Sequence, residues 1–193
     1  SGEYFLVFDG LDAQAFGSAK VNVMLTDIEA LTRAGERATM LRDGQSVTGT
    51  TAGGTDSVRA SCGGGAASPD AVYRFRVTRR SYVELELNTP SHDGVLHLRR
   101  EAGVQSSEVA CNDDLAQGDT TRSRIGVNLD AGTYYVYVDG FANTNAGAFT
   151  LRYSVGEPRT DLPAQPAPGQ PQQERPYNGP PPSQTMKLGA RRD

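Results

Sequence analysis

With 193 residues the chain has room for one well-buried domain and part of a second, and its 22 Gly, 11 Pro and 37% apolar content favour short strands and turns over long helices. Lys and Arg number 19 against 23 Asp and Glu, a net charge of −4, which lacks the cationic field a phosphate backbone needs and excludes nucleic acid as a partner. No window approaches the roughly 18 consecutive apolar residues of a membrane-spanning helix.

The chain opens on Gly2-Glu3-Tyr4-Phe5-Leu6-Val7-Phe8-Asp9-Gly10, which is echoed by Gly132-Thr133-Tyr134-Tyr135-Val136-Tyr137-Val138-Asp139-Gly140 at a displacement of 130 positions. The register continues without a gap: Gly17 falls on Gly147, and Val21, Val23 and Leu25 fall on Leu151, Tyr153 and Val155. Such self-similarity marks an internal repeat. Residues 1–25 are therefore expected to be the last two strands of a preceding copy, with the natural N-terminus upstream of Ser1. Two strands cannot offset their own ordering entropy, so they either belong to a tandem array, complete a neighbouring subunit or pack on the intact domain. Residues 26–42 read as a connector or short helix carrying Ile28, Leu31 and Leu41.

From 43 to 156 the pattern is alternation bounded by turn residues, the signature of strands with one buried and one wet face. Val47 sits in a Thr/Gly-rich edge strand. Tyr73, Phe75 and Val77 alternate with Arg74 and Arg76, and Val83, Leu85 and Leu87 alternate with Glu84 and Glu86. Leu96 and Leu98, then Ile125, Val127 and Leu129, then Phe149, Leu151, Tyr153 and Val155 continue the inward set. The fold class that follows is all-β, an antiparallel jelly-roll-like β-sandwich. If the strands flanking Arg80 form a hairpin, Arg74 and Arg76 face Glu84 and Glu86; a crossing between sheets would remove that pairing. Beyond Gly156 nine prolines fall between Pro158 and Pro182, so 157–193 is expected to be a disordered, extended Pro-rich tail, either a linker or a ligand strip using Tyr177 and the basic residues Lys187, Arg191 and Arg192.

Five blocks in this order resemble the bacterial pre-peptidase C-terminal (PPC) domain family: Ser61-Cys62-Gly63-Gly64-Gly65; Pro69-Asp70-Ala71-Val72-Tyr73-Arg74-Phe75; Asp93-Gly94-Val95-Leu96-His97-Leu98-Arg99; Ala110-Cys111-Asn112-Asp113-Asp114; and Leu129-Asp130-Ala131-Gly132-Thr133-Tyr134 onward to Gly140. The resemblance covers roughly 43–156, with 1–25 similar to the end of another copy. It implies a β-sandwich that accompanies secreted peptidases and cell-surface proteins as a non-catalytic module, often in tandem, and it carries over no catalytic residue. The partners it implies are other protein subunits or the rest of a larger tandem-repeat protein, or a glycan or matrix ligand, in a secreted, periplasmic or cell-surface setting.

Cys62 and Cys111 are the only cysteines. An even count in a turn-rich chain that looks exported points to one disulfide, the alternative being two free buried thiols. Asn112, Asp113 and Asp114 crowd one turn, and Asp93 and Asp139 sit at strand ends that a sandwich brings nearby. Calcium takes about six to eight oxygens at such a place; local Asx-turn chemistry explains the same residues without an ion. Tyr134, Val136 and Val138 face the core, which leaves Tyr135 and Tyr137, with Phe5 in the first copy, on the opposite strand face as contact residues for a partner or glycan unless a loop or sheet covers them. Tyr134 after Leu129-Asp130-Ala131-Gly132 also resembles a tyrosine corner. Enzymatic readings find no support: His92 and His97 are the only histidines and match no zinc motif, no nucleophile elbow exists, and Gly63-Gly64-Gly65 lacks the Lys-Ser/Thr of a phosphate loop.

Overall fold

The computed structural model describes residues 28–64 and 68–162. One helix, α1 (Ile28–Arg37), precedes nine strands: β1 (Thr39–Met40), β2 (Ser46–Thr50), β3 (Ala71–Val77), β4 (Ser81–Asn88), β5 (Gly94–Arg99), β6 (Glu108–Asn112), β7 (Arg122–Leu129), β8 (Gly132–Gly140) and β9 (Ala148–Gly156). They form a five-stranded sheet in the order β1-β3-β8-β5-β6 and a four-stranded sheet in the order β2-β9-β4-β7. Every pairing is antiparallel except the short β1–β3 contact.

The inward set of the sequence becomes the core between the sheets. Phe75, Leu96, Leu98, Tyr134, Val136 and Val138 line the five-stranded side, and Val83, Leu85, Leu87, Ile125, Leu129, Leu151 and Tyr153 the four-stranded side. Phe75 stacks between Tyr134 and Tyr153, ring centroids 5.6 and 4.6 Å away, an arrangement that adds specific geometry to apolar burial. Tyr134 is a tyrosine corner: its hydroxyl donates to the Asp130 carbonyl at 3.0 Å and ties the β7–β8 turn to the core. Tyr134→Phe removes that bond, so thermal unfolding should register a loss of about 1 kcal/mol; an unchanged melting temperature would mean the turn holds itself.

β3 and β4 are consecutive but lie in different sheets, so the hairpin in which Arg74 and Arg76 face Glu84 and Glu86 is not formed. Glu84 and Glu86 instead meet Arg124 of the neighbouring β7. Residues 28–42 do not merely connect: β1 joins β3, and Leu41 is buried in the core.

The alternation predicted for β5 holds only toward the core, because all six of its residues are buried. The outer face of the five-stranded sheet has its own cover. The β2–β3 connection runs across it and buries Val58 and Ala60, while the 101–105 loop buries Ala102 and Gly103. Gly103 has φ +72°, and a Cβ there would meet Leu31 of α1 at 2.4 Å, so both the left-handed backbone and the close approach require glycine. Cys62 and Cys111 form the disulfide. Cys111 stands opposite His97 across the β5–β6 ladder, and cross-strand partners share a face, so the bridge fastens the β2–β3 connection, hereafter the strap, onto the covered side.

Candidate functional site

Of the residues read as calcium ligands, three come together. Asp93 precedes β5, Asp113 and Asp114 follow β6, and one carboxylate oxygen from each lies within 4.8 Å of the other two. Asp93 Oδ1, Asp113 Oδ1 and Asp114 Oδ1 are all shielded from solvent and lack a hydrogen-bond partner. Partial burial, then the charges of Asp93 and Asp114, push the Asp113 carboxyl up to about 6; burial, then Asp114, raises Asp93. Like charges crowded away from water favour a proton or a cation among them.

The other two candidates stand apart from this group. Asn112 spends its amide on the loop: Oδ1 accepts the Arg124 N–H at 2.7 Å and Nδ2 donates to the Asp114 carbonyl at 3.2 Å. Asp139 lies on the covered face, grouped with Asp70 and His97. Tyr137 corrects the expectation of an exposed contact residue, for it is only 2% exposed. Its ring stacks on His97 with centroids 4.9 Å apart, and its hydroxyl accepts the Gly103 N–H at 2.9 Å. Tyr135 is half-buried. Phe5 and Tyr177 lie outside the described residues, as do residues 1–25 and the tail beyond 162.

Beneath the strap is a polar cluster that the sequence reading did not assemble. Arg99 is completely buried. Its Nε donates to His97 Nδ1 at 3.1 Å, Nη1 to the Val104 and Gln105 carbonyls at 3.2 and 2.5 Å, and Nη2 to the Arg59 carbonyl at 2.6 Å and Glu108 Oε2 at 3.0 Å. Glu108 also takes the strap's Ser61 N–H at 3.1 Å, and Asp70 Oδ2 takes the Ser57 and Val58 amides at 2.7 and 3.3 Å. Burial foremost raises Asp70 to about 7, with Asp56 adding to it, and raises Asp139 to about 8, with Asp70 and Asp56 adding to it. Burial and the adjacent Arg99 hold His97 well below its ordinary value, so the ring is neutral. The signal for this cluster was the alternation itself: His97 and Arg99 fall on the same side of β5 as Val95.

Among the described residues no strap covers the outer face of the four-stranded sheet. That face carries Thr48, Glu86, Arg124 and Arg152, and a groove of about 280 Å³ runs over it past Thr150 with the exposed Leu115 on its rim. Among the described residues no helix is long and apolar enough to cross a membrane.

No curated protein matches the chain. Solved structures similar to it include the pre-peptidase C-terminal domain of a collagenase from Bacillus anthracis, 16% identical over 69% of this chain and 100% of that one, with a TM-score of 0.45. Others are PliG of Aeromonas hydrophila, a periplasmic inhibitor of g-type lysozyme (11% identical, 61% of this chain and 95% of that one, TM-score 0.41), and an isomalto-dextranase of Arthrobacter globiformis T6 complexed with panose (20% identical, 56% and 22%, TM-score 0.28). The family model of the bacterial pre-peptidase C-terminal domain matches residues 70–140, the stretch from Asp70 through the end of β8 that supplies four strands of the five-stranded sheet and two of the four-stranded one, and over that stretch the chain is similar to that family.

Proposed function

We propose that the chain is a non-catalytic structural or adhesive module of an exported bacterial surface or envelope protein, making protein contacts through its bare sheet face and its Pro-rich tail. The match of residues 70–140 to the PPC family model supports an accessory role, since these domains accompany secreted proteins without performing their chemistry. The observation that carries the reading is the asymmetry of the sandwich. One outer face is sealed by a disulfide-fastened strap, whereas the other presents Thr48, Glu86, Arg124 and Arg152 to solvent. Arg is favoured in contact surfaces, and polar groups there supply orientation. The repeat at a displacement of 130 supports a tandem arrangement, with residues 1–25 closing a preceding copy. Photo-crosslinking amino acids placed at Thr48 and Arg152 of the exported parent protein should yield one discrete adduct, and the same probe at Arg80, on the end of the sandwich, should not. Equal labelling at all three positions, or none, would remove the bare face from the proposal.

A second reading is calcium-assisted binding of polysaccharide or matrix protein, favoured by the three partnerless carboxylate oxygens of Asp93, Asp113 and Asp114. Calcium at about 100 times its dissociation constant should stabilise the fold by about 2.7 kcal/mol, and Asp113→Asn should abolish the effect. A melting temperature indifferent to calcium and chelator would reject this reading. Glycan and collagen arrays run with and without calcium then separate it from the first.

A further inference from the structure

Two carboxyl groups meet beneath the strap. Asp70 stands immediately before β3 and Asp139 near the end of β8, the neighbouring strand. Both residues are buried, and one oxygen of each lies within 4.8 Å of the other. Asp70 Oδ2 takes the Ser57 and Val58 amides of the strap, and Asp139 Oδ1 takes the Gly140 amide at 2.7 Å. Asp70 Oδ1 is sealed from water without a partner. Charged and titratable groups face the pair from every side. Asp56 of the strap adds its charge to both. From β5 come neutral His97, its Nε2 3.8 Å from Asp139 Oδ2, and Arg99, whose charge is already matched by Glu108 of β6 at 3.0 Å. From β8 comes the Tyr137 hydroxyl, committed to the Gly103 N–H.

We propose that Asp70 and Asp139 hold a single proton between them at neutral pH, and that this proton is the latch of the strap, which lies closed while the proton is bound and lifts when it leaves. The hydrogen bonds place it. Two strap amides favour charge on Asp70, whereas Asp139 has only the amide of its own neighbour. The proton therefore sits on Asp139 Oδ2 and is donated to Asp70 Oδ1, the acceptor that nothing else reaches. Ionising Asp139 as well would put two like charges side by side, the second with neither water nor a new hydrogen bond to hold it. Burial, and then the charge of Asp70, accordingly hold Asp139 up at about 8. The closed form keeps a proton that the open, hydrated form releases, so closure is favoured at lower pH and lost as pH rises through about 8. The disulfide limits what moves. Cys62 stays fastened to Cys111, so the part that swings runs from Gly53, whose φ is +81°, to Ser61, and it carries the buried Val58 and Ala60 out with it.

Two measurements on the intact oxidised chain test the latch. Carbon-13 NMR of the aspartate carboxyls should find one member of the Asp70–Asp139 pair still protonated at neutral pH and titrating at about 8. Amide exchange at Ser57 and Val58, corrected for the intrinsic rate of each amide, should quicken about tenfold per pH unit above that point. Leu85, in the interior strand β4, should keep its protection over the same range, because the strap opens without the fold. Asp139→Asn replaces the acidic O–H by an amide N–H that donates to the same oxygen at every pH, so strap exchange should lose its pH dependence. Asp93→Asn, outside the pair, should retain it. Both carboxyls titrating in the ordinary range, strap protection that is flat with pH in the wild-type chain, loss of protection in step at Leu85, or an unaltered pH dependence in Asp139→Asn would overturn the latch. The first three readings need no variant, so a misfolded Asp139→Asn cannot shelter it.

Discussion

Replacing Arg99 by methionine should cost about 3–5 kcal/mol, because it strips the partner from a nearly buried carboxylate and leaves backbone carbonyls unpaired. Among the described residues the guanidinium alone reaches all three parts of the covered face. It holds the strap through the Arg59 carbonyl, the 104–105 turn through two carbonyls, and β6 through Glu108. Methionine fills much of the same volume but donates nothing. Urea denaturation followed by circular dichroism measures the loss, tryptophan being absent from the chain. Pairing the change with Glu108→Gln removes the orphaned charge, so the double variant should recover part of the deficit, and a strict sum of the two single effects would show that the ion pair is not what couples them. Lysine at 99 should restore little, since a single ammonium cannot reproduce a planar fork that meets five acceptors. A loss below about 1 kcal/mol for Arg99→Met would place the strap's stability elsewhere.

The second large effect belongs to the disulfide. Cys62 and Cys111 are 49 positions apart, and closing a loop of that size stabilises by about 4 kcal/mol in the chain-entropy account. The Cys62→Ser, Cys111→Ser double variant should lose an amount of that order, and the loss should be uneven. Hydrogen exchange at Val58 and Ala60, which the strap buries, should accelerate most, while β4 and β9 follow global unfolding. If those amides exchange no faster than the central strands, Arg99 and Asp70 alone hold the strap. Non-reducing mass spectrometry of the wild-type chain with an alkylating agent should find no reactive thiol.

The sheets were legible because period-two alternation records which side chains face one another between layers. Phe75, Leu85, Leu98, Ile125 and Leu151 all lie where it placed them. Alternation says nothing, however, about what lies beyond a sheet's other side. Tyr137, His97 and Arg99 were outward with respect to the core and are buried nonetheless, because a loop without periodicity of its own crosses above them. β6 escaped notice for a related reason: Glu108–Asn112 is short, half-buried on every residue and without apolar rhythm. The acidic turn was recognisable from Asn112-Asp113-Asp114, since local sequence crowds those groups. The Asp70–His97–Asp139 group was not, because its members meet only through the register of three strands, which depends on the whole fold.

The strap has a bearing on when the molecule matures. Its fastening is made by oxidation, and thiols stay reduced in a cytosol. A newly synthesised copy there lacks the crosslink that opposes unfolding and remains easier to thread through a narrow pore. Under the proposed export, coupling of the sulfurs in an oxidising compartment would clamp the flap and steepen the way back, so a bond between a loop and a strand would give that transport its direction.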